Sequence, residues 1–244
     1  MDPAYLRRCF DLCRPQTGLV LFLLAVSVGS AFGQGYAYKR KHLEHYDDKI
    51  IHYGFFFAAP STRFTVKHSP EFVSADSASR IYSPSRTGFR VGFVTNFFIN
   101  DDFDFRITPA VSLYSREVKY DYPGGSTRTE TRESTWVDIP FLVKYKSQRR
   151  NNSRMYLLAG ASVGLETNVR RNQAAGSSKL ATGNTDLALE YGVGFEQFFE
   201  YFKFSPEIRF SHGIPNLFRP TNSVTSVGLQ RLTTHTVTIY LNFE

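Results

Sequence analysis

Asp186-Leu187-Ala188-Leu189-Glu190-Tyr191-Gly192-Val193-Gly194-Phe195-Glu196-Gln197 sets a large apolar side chain at every odd position from Leu187 to Phe195. A small or charged residue occupies each even position between them. A period of two marks a β-strand whose two faces meet different surroundings. Here the bulky face wants an apolar exterior, and the face with glycines and carboxylates wants a polar interior. A strand of a small outer-membrane barrel meets lipid on one side and a lumen on the other, which satisfies both demands.

The same alternation recurs along the chain. Residues 50–59 align Ile51, Tyr53, Phe55 and Phe57 on one face, and residues 87–98 set Phe89, Val91, Phe93 and Phe97 against Arg90, Gly92, Val94 and Asn96. Residues 103–116 carry Phe103, Phe105, Ile107, Val111 and Leu113 outward, and residues 134–146 carry Val137, Ile139, Phe141, Val143 and Tyr145. Residues 154–166 are apolar on both faces for a stretch, so their facing stays open. Residues 202–212 oppose Phe204, Ile208 and Phe210 to Ser205, Glu207 and Arg209, and residues 233–244 alternate Val237, Ile239, Leu241 and Phe243 with Thr and Asn. Eight strands are expected, an even number that returns the last beside the first.

The connectors alternate too. Residues 99–102, 147–153 and 198–201 are short; residues 60–86, 117–133, 167–184 and 213–232 are long and rich in Gly, Ser, Thr, Asn and Pro. With the first strand starting in the periplasm, every long connector faces the exterior. The expected fold is therefore all-β, an eight-stranded antiparallel up-and-down transmembrane β-barrel of the cell outer membrane. A soluble β-sandwich would explain the alternation, but neither the long–short rhythm nor the outward Phe.

Composition agrees. The mean hydropathy of -0.28 would suggest a soluble protein, but half of each barrel strand is polar. The 244 residues include 23 Phe and 14 Tyr, as outward faces and interfacial girdles require. At the N-terminus, Arg7, Arg8 and Arg14 precede an apolar run from Leu19 to Val28, and Ser30-Ala31-Phe32-Gly33 offers small residues at a cleavage junction. That is the pattern of a secretory signal peptide, residues 1–33, and the run falls well short of the roughly 20 residues that span a bilayer. Residues 34–49 are then a periplasmic extension and residues 50–244 the barrel. Cys9 and Cys13 both lie in the segment to be removed, so no disulfide or Cys-metal site is expected. The net charge of +7 points to lipid phosphates and acidic surface partners, not nucleic acid.

The inward faces gather charge. Arg90, Arg106, Arg116, Lys144 and Arg209 face Asp138, Glu166, Asp186, Glu190, Glu196 and Glu207. An eight-stranded barrel is just wide enough for side chains to fill it, so these groups are expected to pair as a plug, with Arg90, Arg106, Arg116, Asp138, Lys144, Glu190, Glu196, Glu207 and Arg209 as its structural charge network. Gly92, Gly160, Gly164, Gly192 and Gly194 make room for them. For catalysis, Ser211-His212 is the tempting pair, but neighbours on a strand point to opposite faces. His42, His45, His52, His212 and His235 read as interfacial polar groups. No enzyme activity, cofactor, metal or small-molecule substrate is expected.

Specific strings carry a family resemblance. His42-Leu43-Glu44-His45-Tyr46-Asp47-Asp48-Lys49 leads into Ile51-His52-Tyr53-Gly54-Phe55. Asp138-Ile139-Pro140-Phe141-Leu142-Val143-Lys144-Tyr145-Lys146-Ser147 follows, and later Tyr156-Leu157-Leu158-Ala159-Gly160. Phe202-Lys203-Phe204-Ser205-Pro206-Glu207-Ile208-Arg209-Phe210-Ser211-His212-Gly213 and Asn242-Phe243-Glu244 complete the set. In this order they resemble the PorT/SprT family of outer-membrane barrels over nearly all of the mature chain. The resemblance implies a part of the type IX secretion system, which exports proteins with a C-terminal sorting domain and, in gliding relatives, surface adhesins. It implies other secretion-system components and outer-membrane lipid as partners, and no catalytic residues. The alternative expectation is a generic small outer-membrane barrel with a structural or adhesive surface role.

Overall fold

The computed structural model describes residues 41–68, 80–122, 125–167, 183–219 and 229–244. The expected signal peptide, residues 34–40 of the expected extension and most of the 167–184 connector lie outside them. Among the described residues, eleven strands form one sheet: β1 (Ile51–His68), β2 (Arg80–Tyr82), β3 (Arg86–Thr87), β4 (Phe89–Phe98), β5 (Phe103–Ile107), β6 (Ala110–Asp121), β7 (Thr127–Lys146), β8 (Ser153–Glu166), β9 (Thr185–Phe198), β10 (Lys203–Gly213) and β11 (Leu229–Phe243). Antiparallel pairing runs from β4 through β5 and β6 to β7, β8, β9, β10 and β11. β1 then closes the ring, pairing β11 on one edge and β4 on the other.

The wall is thus an eight-stranded ring in which β5 and β6 act as one strand, with β2 and β3 as short additions. The break at Thr108-Pro109 was not expected within residues 103–116. Pro109 has no N–H to give to the ladder. Its carbonyl still accepts from Phe93 N at 3.0 Å, and Thr108 N donates to the Pro140 carbonyl at 3.3 Å, so the ladder continues across the kink.

Facing follows the sequence parity. Phe55, Phe57, Phe89, Phe93, Leu113, Phe141, Leu189, Tyr191 and Ile239 are exposed on the outer wall, while Arg90, Asn96, Lys144, Glu190, Glu196 and Arg209 are buried within. The strand whose facing was open resolves: Met155, Leu157, Val163 and Leu165 point out, and Tyr156 and Leu158 pack inward against Leu142. Five outward apolar positions on β1 or β9 span roughly 27 Å along the strand, or about 20 Å of height at a barrel strand's tilt, which fills most of a barrel's apolar band of about 25 Å. At the end with the short turns, Phe55, Phe204 and Phe202 gather around Phe243, and Phe103 meets Tyr145 at 5.2 Å between ring centroids. Aromatic girdles of this kind mark a membrane interface. The turn between β7 and β8 uses Asn151 at φ 55°, a left-handed position that Asn tolerates.

The structure corrects three connectors. Residues 117–133 are largely a hairpin, because β6 runs to Asp121 and β7 starts at Thr127. β1 continues to His68, and β11 begins at Leu229. The reason lies in the side chains: Thr127, Thr129 and Thr131 keep a β-branched residue at alternate positions where no apolar group flags a strand. Beyond the membrane band, Phe64, Ile81, Val118, Tyr120, Leu217, Phe218, Leu229 and Leu232 bury one another in an apolar roof over the outer end.

Candidate functional site: a filled lumen and its strapped mouth

Two levels of charge fill the barrel beneath that roof. At the mouth with the short turns, the Glu196 carboxylate meets Lys144, Arg154 and Lys203, the last at 3.1 Å. The Glu244 carboxylate takes Lys203 at 2.9 Å and Arg106 at 3.1 Å, and also accepts from the Asn96 amide. Arg106 reaches on to Glu207 at 2.9 Å, where the Tyr156 hydroxyl donates at 2.8 Å and Arg209 also pairs. Asp104 holds Lys146 at 2.6 Å. Each carboxylate is shared by several cations, so burial leaves little charge uncompensated.

The glycines explain how such long side chains fit. A methyl at Gly194 would collide with the Tyr156 ring, and one at Gly92 would come within 2.8 Å of the Phe56 ring. Removing the side chain there is what admits the aromatic rings of Tyr156 and Phe56 from the adjacent paired strands.

Residues 41–49 strap this mouth. The Tyr46 hydroxyl donates to Glu244 at 3.0 Å, and its ring stacks on His52 at 4.0 Å and lies under the Lys203 ammonium. Asp47 pairs with Arg154 at 3.0 Å; His42 N donates to the Asn152 side chain at 2.9 Å, and Arg149 donates to the backbone carbonyls of His42 and Leu43. Burial, reinforced by the Glu244 and Glu196 carboxylates, pushes the Tyr46 hydroxyl well above its usual range, so it remains a donor at neutral pH.

The middle level is built differently. Arg90 donates to Asp138 at 2.8 Å, to Ser112 at 2.6 Å and to the Tyr240 hydroxyl at 2.6 Å. Arg116 lies over Tyr114, Phe64 and Trp136 and donates to the Thr62 and Tyr114 hydroxyls at 3.1 Å each. Asp186 accepts from Thr234 at 2.7 Å, and Glu190 stands 3.8 Å from Arg209. One oxygen of Asp186 and one of Glu190 have no hydrogen-bond partner. These groups line a cavity of about 20 Å³, room for about one water.

All nine expected network residues are therefore buried in the lumen, but in two groups. Lys144, Arg106, Glu196 and Glu207 belong to the mouth; Arg90, Asp138, Arg116 and Glu190 belong to the middle; Arg209 touches both. Glu166 lies apart and pairs with Arg132 at 2.6 Å. Sequence reasoning missed Asp104, Lys146, Arg154, Lys203 and Glu244. Asp104, Lys146, Arg154 and Lys203 share the inward parity of a residue already chosen, and Glu244 shares that of the inward Asn242, so the alternation carried the signal. Ser211 lines the cavity, whereas His212 faces outward and meets Tyr191 and His235. The two do not form a nucleophile–base pair. Among the described residues no cluster of three or more His, Cys, Asp or Glu could hold a metal ion.

A filled barrel with outward aromatics and short turns at one end agrees with the family comparison: residues 28–219 match the model of the outer membrane protein beta-barrel domain. The chain belongs to that family. It is accordingly an outer-membrane protein. Among solved structures, OprG from Pseudomonas aeruginosa is similar at 13% identity over 79% of this chain and 92% of that one, with a TM-score of 0.45. Neisserial surface protein A is similar at 12% identity over 80% and 98%, with a TM-score of 0.42. The N-terminal β-barrel domain of Pseudomonas aeruginosa OprF is similar at 14% identity over 78% and 96%, with a TM-score of 0.30. No curated protein matches the sequence.

Proposed function

We propose that this barrel supports type IX protein secretion without acting as an enzyme or as the conduit, through contacts with other export components. The observation that carries the reading is the filled lumen: Arg106, Lys144, Glu196 and Arg209 have almost no exposure, and an eight-stranded barrel has no spare width for cargo. Function then resides in its surfaces. The ordered strings shared with the PorT/SprT family supply the secretion part of the reading, and the strap at residues 41–49 offers a structured periplasmic surface for export components.

The test is deletion of the gene followed by measurement of sorting-domain cargo in the medium and on the cell surface. Loss of that cargo, restored by the intact gene, is the expected result; normal export overturns the reading. The second reading is a generic barrel with a structural or adhesive surface role. It is favoured by the β6–β7 hairpin, which stays paired as far as Asp121 and Thr127. Normal export combined with lost surface adhesion would select it.

A further inference from the structure

Above the apolar band, one side of the outer wall is basic and unbalanced. On β1 the outward positions after Ala59 are Ser61, Arg63, Thr65 and Lys67. Register sets Arg63 opposite His235 and Lys67 opposite Arg231 on β11, and His235 opposite His212 on β10. Lys67 and Arg231 are thus like charges placed directly across an antiparallel pair, an arrangement that destabilises a sheet unless something compensates it.

Among the described residues, nothing on this face does. The outward positions of β9, β10, β11, β1 and β4 carry no Asp or Glu, and the nearby Asp186 points inward to Thr234. Arg231 donates to the Ile214 carbonyl at 2.7 Å, which holds its guanidinium near the wall without neutralising it. The β6–β7 side differs, with Glu133 among its outward threonines.

Height identifies the missing anion. His235 is the next outward residue above Val237, and His212 the next above Phe210, so the stripe begins where the apolar band ends. Their Nδ1 atoms lie 3.1 Å apart, and Tyr191 meets the far nitrogen of His212, giving a polar step between the band and the cations. That is the level of the lipid headgroups. Arg, Lys and guanidinium–phosphate pairing suit a phosphorylated headgroup.

We propose that Arg63, Lys67 and Arg231 form a binding site for the phosphate groups of an outer-leaflet glycolipid. The lipid's acyl chains would lie along the apolar wall below, while its phosphates bridge the opposed cations of β1 and β11. The site is independent of the secretion reading.

Native mass spectrometry of the intact protein in detergent tests it, with bis-phosphorylated lipid A as probe and the same lipid stripped of phosphate as control. The protein is expected to retain the phosphorylated form selectively. Substituting Arg63→Gln, Lys67→Gln and Arg231→Gln together should weaken retention about a hundredfold, since each basic group near an anionic membrane surface contributes roughly fivefold. Heat-modifiable migration checks that the variant is folded. Should the triple variant fail to fold, Lys67→Gln with Arg231→Gln should still weaken retention about 25-fold on the same basis. Equal retention by the folded variant, equal retention of the stripped lipid, or full displacement by millimolar inorganic phosphate would each overturn the proposal.

Discussion

The short-turn mouth and the middle of the lumen use the same residue types to opposite ends. At the mouth, Glu196 and Glu244 are each shared among several cations, and Tyr46 closes the lattice from outside. In the middle, among the described residues, Arg116 finds only hydroxyls and aromatic rings within hydrogen-bonding or stacking reach, and Asp186 keeps an unpaired oxygen beside a cavity. A buried ion pair holds together only as a set: losing one partner strands the rest. The mouth should therefore be brittle and the middle tolerant.

Glu196→Ala is the sharpest way to break that contrast. It would leave Lys144, Arg154 and Lys203 facing one another without their common anion. Removing one partner of a buried pair costs about 3–5 kcal/mol, so urea unfolding in detergent should shift by that amount, or the heat-modifiable band should disappear. A change below about 1 kcal/mol would mean that water reaches the mouth and screens the cations. In the middle level, Asp138→Ala should cost less, about 2–3 kcal/mol. Arg90 would keep its bonds to Ser112 and Tyr240, and the adjacent cavity can admit water to solvate it. Equal losses at Glu196 and Asp138 would erase the distinction between the two levels.

The contrast was only half legible in the sequence. Parity alone sorted Arg90, Lys144, Glu196 and Arg209 inward, because one residue's shift would turn every charge into lipid. Parity cannot say which charges meet. Arg90 and Tyr240 are 150 positions apart, and Tyr46 and Glu244 are 198 apart; only ring closure and register bring them together. Arg154 and Lys203 escaped notice because they open their strands, where a basic residue reads as part of a turn. The β6–β7 extension escaped for another reason. Its outward Thr and its flanking Arg and Glu are all polar, so the period of two persists there without an apolar contrast to reveal it.

The strap offers a finer test of the mouth. Tyr46→Phe keeps the stacking on His52 but removes the donor to Glu244. A lost hydrogen bond to a charged group costs about 1.5–3 kcal/mol when fully buried. Glu244 keeps Lys203 and Arg106, so the low end applies to the docking of residues 41–49, and little to the barrel. Limited proteolysis should cut this segment several-fold faster in the variant, while the barrel core keeps its unfolding midpoint. If the midpoint falls together with strap protection, the strap belongs to the barrel's cooperative unit.

Arg116→Met should do least, and the reason separates charge from bulk. Arg116 contributes a long stem and a flat head packed over Tyr114, Phe64 and Trp136, beneath the apolar roof. Its nearest formal partners are hydroxyls, which can turn to each other: Thr236 already donates to the Thr62 hydroxyl at 2.9 Å. Methionine fills similar volume and keeps the contact with the rings. Arg116 is in no ion pair among the described residues, so replacing it by an apolar side chain of like size strands no bonded partner and removes the cost of burying its charge; the unfolding free energy should change by less than about 1 kcal/mol, in either direction. The remaining cost falls on Asp186, whose unpaired oxygen lines the same small cavity as Arg116 and loses that cation. Pairing Arg116→Met with Asp186→Asn should recover that loss. A double variant no more stable than Arg116→Met alone would show that the guanidinium acts through packing only, and that the middle of the lumen is held by shape where the mouth is held by charge.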